Sequence, residues 1–111
     1  MKTANLITAL LEEKGYEVDH NHKERKINGW EINDDFYLWL IGDQVFLAYR
    51  QEKSEKPKAI LCQGNPCVTN LHHPKSLDLI ELWLDNLDNL HVFETGGMPG
   101  TGFGSMWKAT K

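Results

Sequence analysis

The residues of this chain best suited to chemistry are two cysteines and two histidines, which follow one another as Cys62, Cys67, His72 and His73. Thiolate and imidazole groups are the usual donors of tetrahedral zinc sites. The spacing is longer than that of typical paired zinc ligands, and the chain has only this one cysteine pair. We therefore predict no metal and no cofactor. A zinc-binding domain built on these four residues is kept as the alternative.

Nucleophilic catalysis lacks a recognisable motif. A nucleophile needs a base and an orienting group beside it in the fold. Cys67 with His72 or His73 would be the natural pair, but no feature of the sequence marks Cys67 as activated. The string His20-Asn21-His22 is typical of some nucleases, yet the spaced metal ligands of those enzymes are missing. We expect a protein without enzymatic activity, and a small enzyme belongs to the alternative.

Residues 96–104 form a glycine-rich segment with five glycines in nine residues. Glycine permits backbone conformations that bring the chain close to a ligand. A phosphate-binding loop would open a helix and carry Gly-Lys-Ser/Thr, and this segment does neither. The segment is either a connecting loop or a loop that contacts a partner protein through bulky apolar side chains. The candidate contact residues are Met98, Pro99, Gly100, Thr101 and Phe103.

The C-terminal third is similar in outline to the staphostatins, which are small intracellular inhibitors of cysteine proteases. The matching residues are Thr95, Gly100 and Thr101, followed by a predicted final strand within residues 105–111. Gly102 departs from the family pattern, which has Ser after the Thr. The resemblance implies that a loop of this kind can serve as an inhibitory contact.

A second helix with an acidic stripe is predicted after Ser76, which could cap it. Its apolar positions are Leu77, Ile80, Trp83, Leu84 and Leu87, and its acids are Asp78, Glu81, Asp85 and Asp88. The competing interpretation is a strand over residues 77–84, because short apolar runs are ambiguous by period. The stripe is either an ordinary solvated face or a surface that attracts a basic partner.

A β-hairpin is predicted over residues 36–41 and 44–50, joined by Gly42-Asp43. This loop length pairs Leu38 with Leu47, and side chains alternate between the two faces of the sheet. Both faces come out largely apolar, which is unlike a sheet wetted on one side. The face that carries Tyr37, Trp39 and Phe46 must therefore lie under another layer of the chain or against another molecule, such as a partner protein or a second copy.

The remaining elements complete a single α+β domain over residues 1–111. A first helix is predicted at residues 4–14, and further strands at residues 16–20, 26–33, 59–63, 91–95 and 105–110. Residues 67–74 are expected to be irregular. We predict an antiparallel sheet of five to six strands with two helices on one of its faces.

Composition narrows the function further. The formal net charge is −4, and residues 76–107 contain no Lys or Arg, so nucleic acid and anionic membranes are not expected as partners. The absence of a signal peptide and the presence of only two cysteines predict a cytoplasmic protein. We predict a small acidic protein-binding module of inhibitor, immunity or regulatory type, with a basic protein as the favoured partner. The alternative is a small ligand- or zinc-binding domain or enzyme that uses the glycine-rich segment or the Cys/His cluster.

Overall fold

The computed structural model describes residues 2–19, 27–50, 52, 56–90, 94–96 and 106–111. Within these residues the chain forms three helices and nine strands, in an α+β arrangement. The helices are α1 (Lys2–Glu13), α2 (Ser76–Asp85) and α3 (Leu87–Leu90). The strands are β1 (Glu17–Asp19), β2 (Gly29–Ile32), β3 (Phe36–Ile41), β4 (Gln44–Tyr49), β5 (Lys58–Ala59), β6 (Leu61–Cys62), β7 (Asn65–Pro66), β8 (Val68–Asn70) and β9 (Met106–Thr110).

The main sheet is mixed, which corrects the prediction of an antiparallel sheet. Its strand order is β1-β9-β2-β3-β4-β5, and β8 also pairs with β4. β9 runs antiparallel to β1 but parallel to β2, with Trp30 opposite Trp107. The sheet thus has seven strands, and β6 and β7 form a separate two-stranded hairpin. The predicted number was too low because β8 lies in a segment expected to be irregular.

The hairpin prediction is confirmed, except that β4 ends at Tyr49 and not at Arg50. β3 and β4 pair with the predicted register, from Ile41 opposite Gln44 to Leu38 opposite Leu47 and beyond. The turn succeeds because Gly42 adopts a φ of 60°, as a two-residue hairpin loop of this kind requires. The loop alone therefore sets which side chains face each other across this pair.

The helix interpretation of the acidic segment is confirmed, and the competing strand is wrong. α2 ends earlier than expected, at Asp85, and the short helix α3 that follows was not predicted. Ser76 is buried inside the first turn and is not the cap, since Lys75 occupies that position without a side-chain hydrogen bond. The strand predicted at residues 91–95 lies mostly outside the described residues, and only Thr95 is placed in a bridge with Ile60.

The two faces of the main sheet carry separate cores. The helices cover one face, where Ile7 and Leu11 of α1 and Ile80 of α2 join sheet residues such as Trp30 and Leu38. The opposite face holds a second cluster of buried residues: Tyr37, Trp39, Ala48 and Ala59. The aromatic face of the hairpin was expected to lie either under another layer of the chain or against another molecule. These side chains are buried within the single chain. Among the described residues, no helix is long and apolar enough to cross a membrane.

Candidate functional site

The candidate site is a groove between α2–α3 and the β6–β7 hairpin, here called the α2 groove. Its volume is about 340 Å³. Its lining is mainly apolar and consists of Cys62, Cys67, Leu79, Leu82, Trp83, Asn86 and Asn89. Open apolar depressions of this kind on a small protein are typical contact sites for other molecules.

The β6–β7 hairpin forms one wall of the groove because it leaves the sheet at β4. β5 pairs with one end of β4 and β8 with the other. Between them, Leu47 donates its backbone N–H to Cys67 and accepts one from Ile60, at 3.0 and 2.9 Å. The chain between Ile60 and Cys67 therefore projects from the sheet edge, and it turns at Gln63-Gly64 with φ values of 55° and 84°.

The helical wall carries two leucines that the core does not use. Leu79 is 36% exposed and Leu82 is 57% exposed, although both are large apolar side chains. They lie three residues apart and so are neighbours on the helix surface. Trp83 is 7% exposed and forms the base of the groove between this wall and the core.

These two leucines were not among the predicted contact residues, although the sequence pattern contains a signal for them. They are the apolar residues of α2 that do not fit the predicted core stripe of the helix. In the helix, the same two residues point away from the buried side chains Ile80 and Leu84. Leucines of a helix that lie outside its core-facing apolar stripe were thus the sign of a surface site.

Exposed acidic side chains lie next to Leu82 on the helix, although none is among the described residues that line the groove. Asp78 and Asp85 lie four residues before and three residues after Leu82, so both adjoin it on the helix. The stripe continues with Glu81 and, in α3, with Asp88. Asp85 and Asp88 both line a smaller cavity of about 220 Å³, together with Tyr16 and Lys111.

The charge of the acidic stripe is partly neutralised by Lys14, which directly follows α1. Lys14 Nζ lies 2.5 Å from an oxygen of Asp85 and 3.8 Å from one of Glu81. The hydrogen bond to Asp85 is the main cause that raises the pKa of Lys14. Lys14 lies more than 60 residues before α2 in the sequence, so this partner could not be read from the local pattern. Asp78 has no basic partner among the described side chains, which leaves it the acid freest to meet a cation beside Leu82.

The two cysteines meet each other in the groove, but the histidines do not join them. Burial, together with the neighbouring Cys62 thiol, raises the pKa of the Cys67 thiol to about 11. His72 Nε2 lies 2.8 Å from Asp43, and His73 Nδ1 accepts the Lys75 backbone N–H at 3.1 Å. No three metal-binding side chains converge among the described residues, so the alternative zinc site is not assembled there. The hydrogen bonds of His72 and His73 are to residues other than Cys67.

The other predicted contact residues lie elsewhere. Tyr37 and Trp39 are 4% and 3% exposed, and Phe46 is half-buried against them. Burial raises the pKa of Tyr37 to about 12, and its hydroxyl lies 3.4 Å from Glu31. This aromatic face is therefore an internal core and not an open surface of the monomer. The predicted loop contacts Met98, Pro99, Gly100, Thr101 and Phe103 lie outside the described residues.

Comparisons with known proteins give no further guide to the site. No protein-family model matches the chain, and neither the curated proteins nor the solved structures include one that matches it significantly.

Proposed function

We propose that this protein is a non-enzymatic protein-binding module, and that its α2 groove holds apolar side chains of a basic segment of a partner protein. The observation that carries the proposal is the exposure of Leu79 and Leu82 beside Trp83 in an open groove. Asp78 adjoins Leu82 on the helix surface. An apolar centre with charged surroundings is the usual anatomy of a protein contact.

Apolar burial would supply the attraction. Fully burying a leucine side chain is worth about 1.5–3 kcal/mol, and Leu82 keeps more than half of its surface available for this gain. The groove offers few polar groups, since its described lining contains only the amides of Asn86 and Asn89 and the thiols of Cys62 and Cys67. Small-molecule sites need several placed polar groups to orient their ligand, so a partner side chain suits this groove better than a metabolite.

Charge favours a basic partner. The formal net charge is −4, and the α2 surface beside the groove is acidic. Lys or Arg residues flanking the inserted apolar side chains would meet Asp78 and, beyond it, Glu81. An amphipathic helix with leucines at helical spacing and lysines on either side fits this description.

A designed peptide tests the proposal directly. The probe is a fluorescein-labelled helical peptide with leucines on one face and lysines beside them, compared with a peptide in which glutamates replace the lysines. We expect the lysine peptide to bind saturably in fluorescence anisotropy and the glutamate peptide to bind more weakly. L82S should weaken binding roughly tenfold, equivalent to about 1.4 kcal/mol, and D78N roughly twofold. K14Q should strengthen binding because it frees Asp85.

Leu6 provides a matched control. It is 49% exposed but lies on α1, outside the groove, so L6S removes similar exposed apolar surface and should leave binding unchanged. Absence of saturable binding, or equal weakening by L6S and L82S, would contradict the proposal. A dimer that L82S dissociates without any peptide would identify a second copy of the chain as the occupant instead.

A further inference from the structure

The β6–β7 hairpin places its two cysteines on one face. Leu61 lies opposite Pro66 and Cys62 opposite Asn65. The Cys67 backbone N–H bonds to Ile60 at 2.9 Å, which continues the same register by one pair. Cys62 and Ile60 share a face because side chains alternate along a strand. Cys67, opposite Ile60, therefore lies diagonally across from Cys62 on that face.

The two thiols are close and differ in access. Both are free and both line the α2 groove, and the Cys62 thiol is near enough to contribute to the raised pKa of Cys67. Cys62 is exposed, whereas Cys67 is half-buried. A dissolved disulfide can therefore reach Cys62 directly, while Cys67 is placed to attack whatever forms on Cys62.

We propose that Cys62 and Cys67 form a reversible intramolecular disulfide that controls access to the α2 groove; only this control rests on the proposed function. The co-reactant is a low-molecular-weight disulfide such as oxidised glutathione. The Cys62 thiolate attacks one of its sulfurs, the S–S bond breaks, and one glutathione thiol leaves. Cys67 then attacks Cys62 and releases the second glutathione thiol. Two protons pass from the cysteines to the two released thiols.

The hairpin geometry makes this bond reversible. Diagonal neighbours in an antiparallel pair lie about 7–8 Å apart, which is beyond the roughly 4.4–6.8 Å between Cα atoms that a disulfide usually spans. Closing the bond must therefore draw the two strands together. Exposed disulfides under such tension are the readily reduced ones. This movement changes the shape of the β6–β7 wall, which faces Leu79 and Leu82 across the groove. We therefore expect the oxidised protein to have a lower affinity for the basic peptide.

The experiment equilibrates the reduced folded protein with mixtures of oxidised and reduced glutathione and follows the intact mass and the thiols open to alkylation. We expect the wild type to lose two hydrogens and both alkylatable thiols, and to recover them on reduction. C67S should stop as a glutathione adduct on Cys62, and C62S should react far more slowly. Circular dichroism of both serine variants verifies that they are folded.

Three results would overturn the proposal: glutathione adducts without an internal disulfide, covalent dimers, or a disulfide that forms only in urea. Equal peptide affinity of the reduced and oxidised proteins would overturn the control of access. The two proposals fail separately. A disulfide in a protein that never binds the peptide rejects the proposed function alone, and peptide binding without a disulfide rejects the dithiol alone.

Discussion

The indole nitrogen of Trp30 donates a hydrogen bond of 3.2 Å to the hydroxyl of Thr8, and both residues are buried. Trp30 lies at the centre of the main sheet, on β2, and Thr8 lies on α1. The Trp107 ring packs edge-on against Trp30, with ring centroids 6.4 Å apart. This bond ties the first helix to the middle of the sheet and gives the buried indole N–H its acceptor.

Thr8→Val should destabilise the protein by about 1–3 kcal/mol, because it preserves the shape of the side chain but leaves the Trp30 N–H unsatisfied in the core. Urea unfolding followed by tryptophan fluorescence measures the loss. Thr8→Ser retains the hydroxyl and is the matched control, with a smaller loss that reflects one methyl group. If the valine and serine variants are equally stable, the hydrogen bond contributes nothing.

Gly29→Ala should be far more damaging than Gly42→Ala. A Cβ at Gly29 would lie 2.1 Å from the Leu38 carbonyl oxygen, where β2 is paired on both edges. Gly42 also has a positive φ, but no atom lies within 4 Å of its added Cβ. We expect about 1 kcal/mol for Gly42→Ala and about 4 kcal/mol or more for Gly29→Ala.

The measurement for this pair is the urea midpoint, together with the soluble fraction after expression, since Gly29→Ala is expected to fall largely into the insoluble fraction. Similar midpoints for the two variants would show that the β2–β3 contact at Leu38 adapts to a side chain.

Stability should fall in alkali through Tyr37. Its pKa is raised from 10.0 to about 12 in the folded protein, chiefly by burial. The folded state therefore holds the phenol proton more tightly than the unfolded state. The contribution to stability is complete below pH 10 and is lost as the pH rises from 10 towards 12. Tyr37→Phe should remove this part of the fall.

Urea unfolding on both sides of pH 10, with phenolate absorbance as a second readout, measures this effect. The pKa of Tyr16 is raised as well, again mainly by burial, so Tyr37→Phe should remove only a part of the alkaline loss. An alkaline loss in Tyr37→Phe that equals the wild-type loss would contradict the assignment to Tyr37.

Local patterns were sufficient to predict the elements whose contacts are local. The Gly42-Asp43 loop determines the β3–β4 register because two residues leave the strands no other alignment. The helix at α2 followed from the spacing of Ile80, Trp83 and Leu84. Its end at Asp85 could not be predicted in this way, because the break at Asn86 depends on how α3 packs Leu87 into the core.

The sheet order and the candidate site depend on distant contacts. Nothing near Trp107 in the sequence indicates that β9 lies between β1 and β2. β4 pairs with β5 at one end and with β8 at the other, and this arrangement produces the groove wall. The local sequence pattern does not predict it either. Of the predicted contact surfaces that lie within the described residues, only the acidic stripe adjoins the groove, and its partial neutralisation by Lys14 required the packing of α1 against α2.

The position of β9 has a consequence for biosynthesis. A ribosome makes β1 and β2 long before β9, yet β9 is the strand that joins them. Until it emerges, β2 offers the backbone of Gly29–Ile32 as an open edge, and β1 has no partner in the main sheet. Such edges recruit strands from neighbouring chains. The nascent protein is therefore open to pairing with neighbouring chains in the interval before β9 emerges.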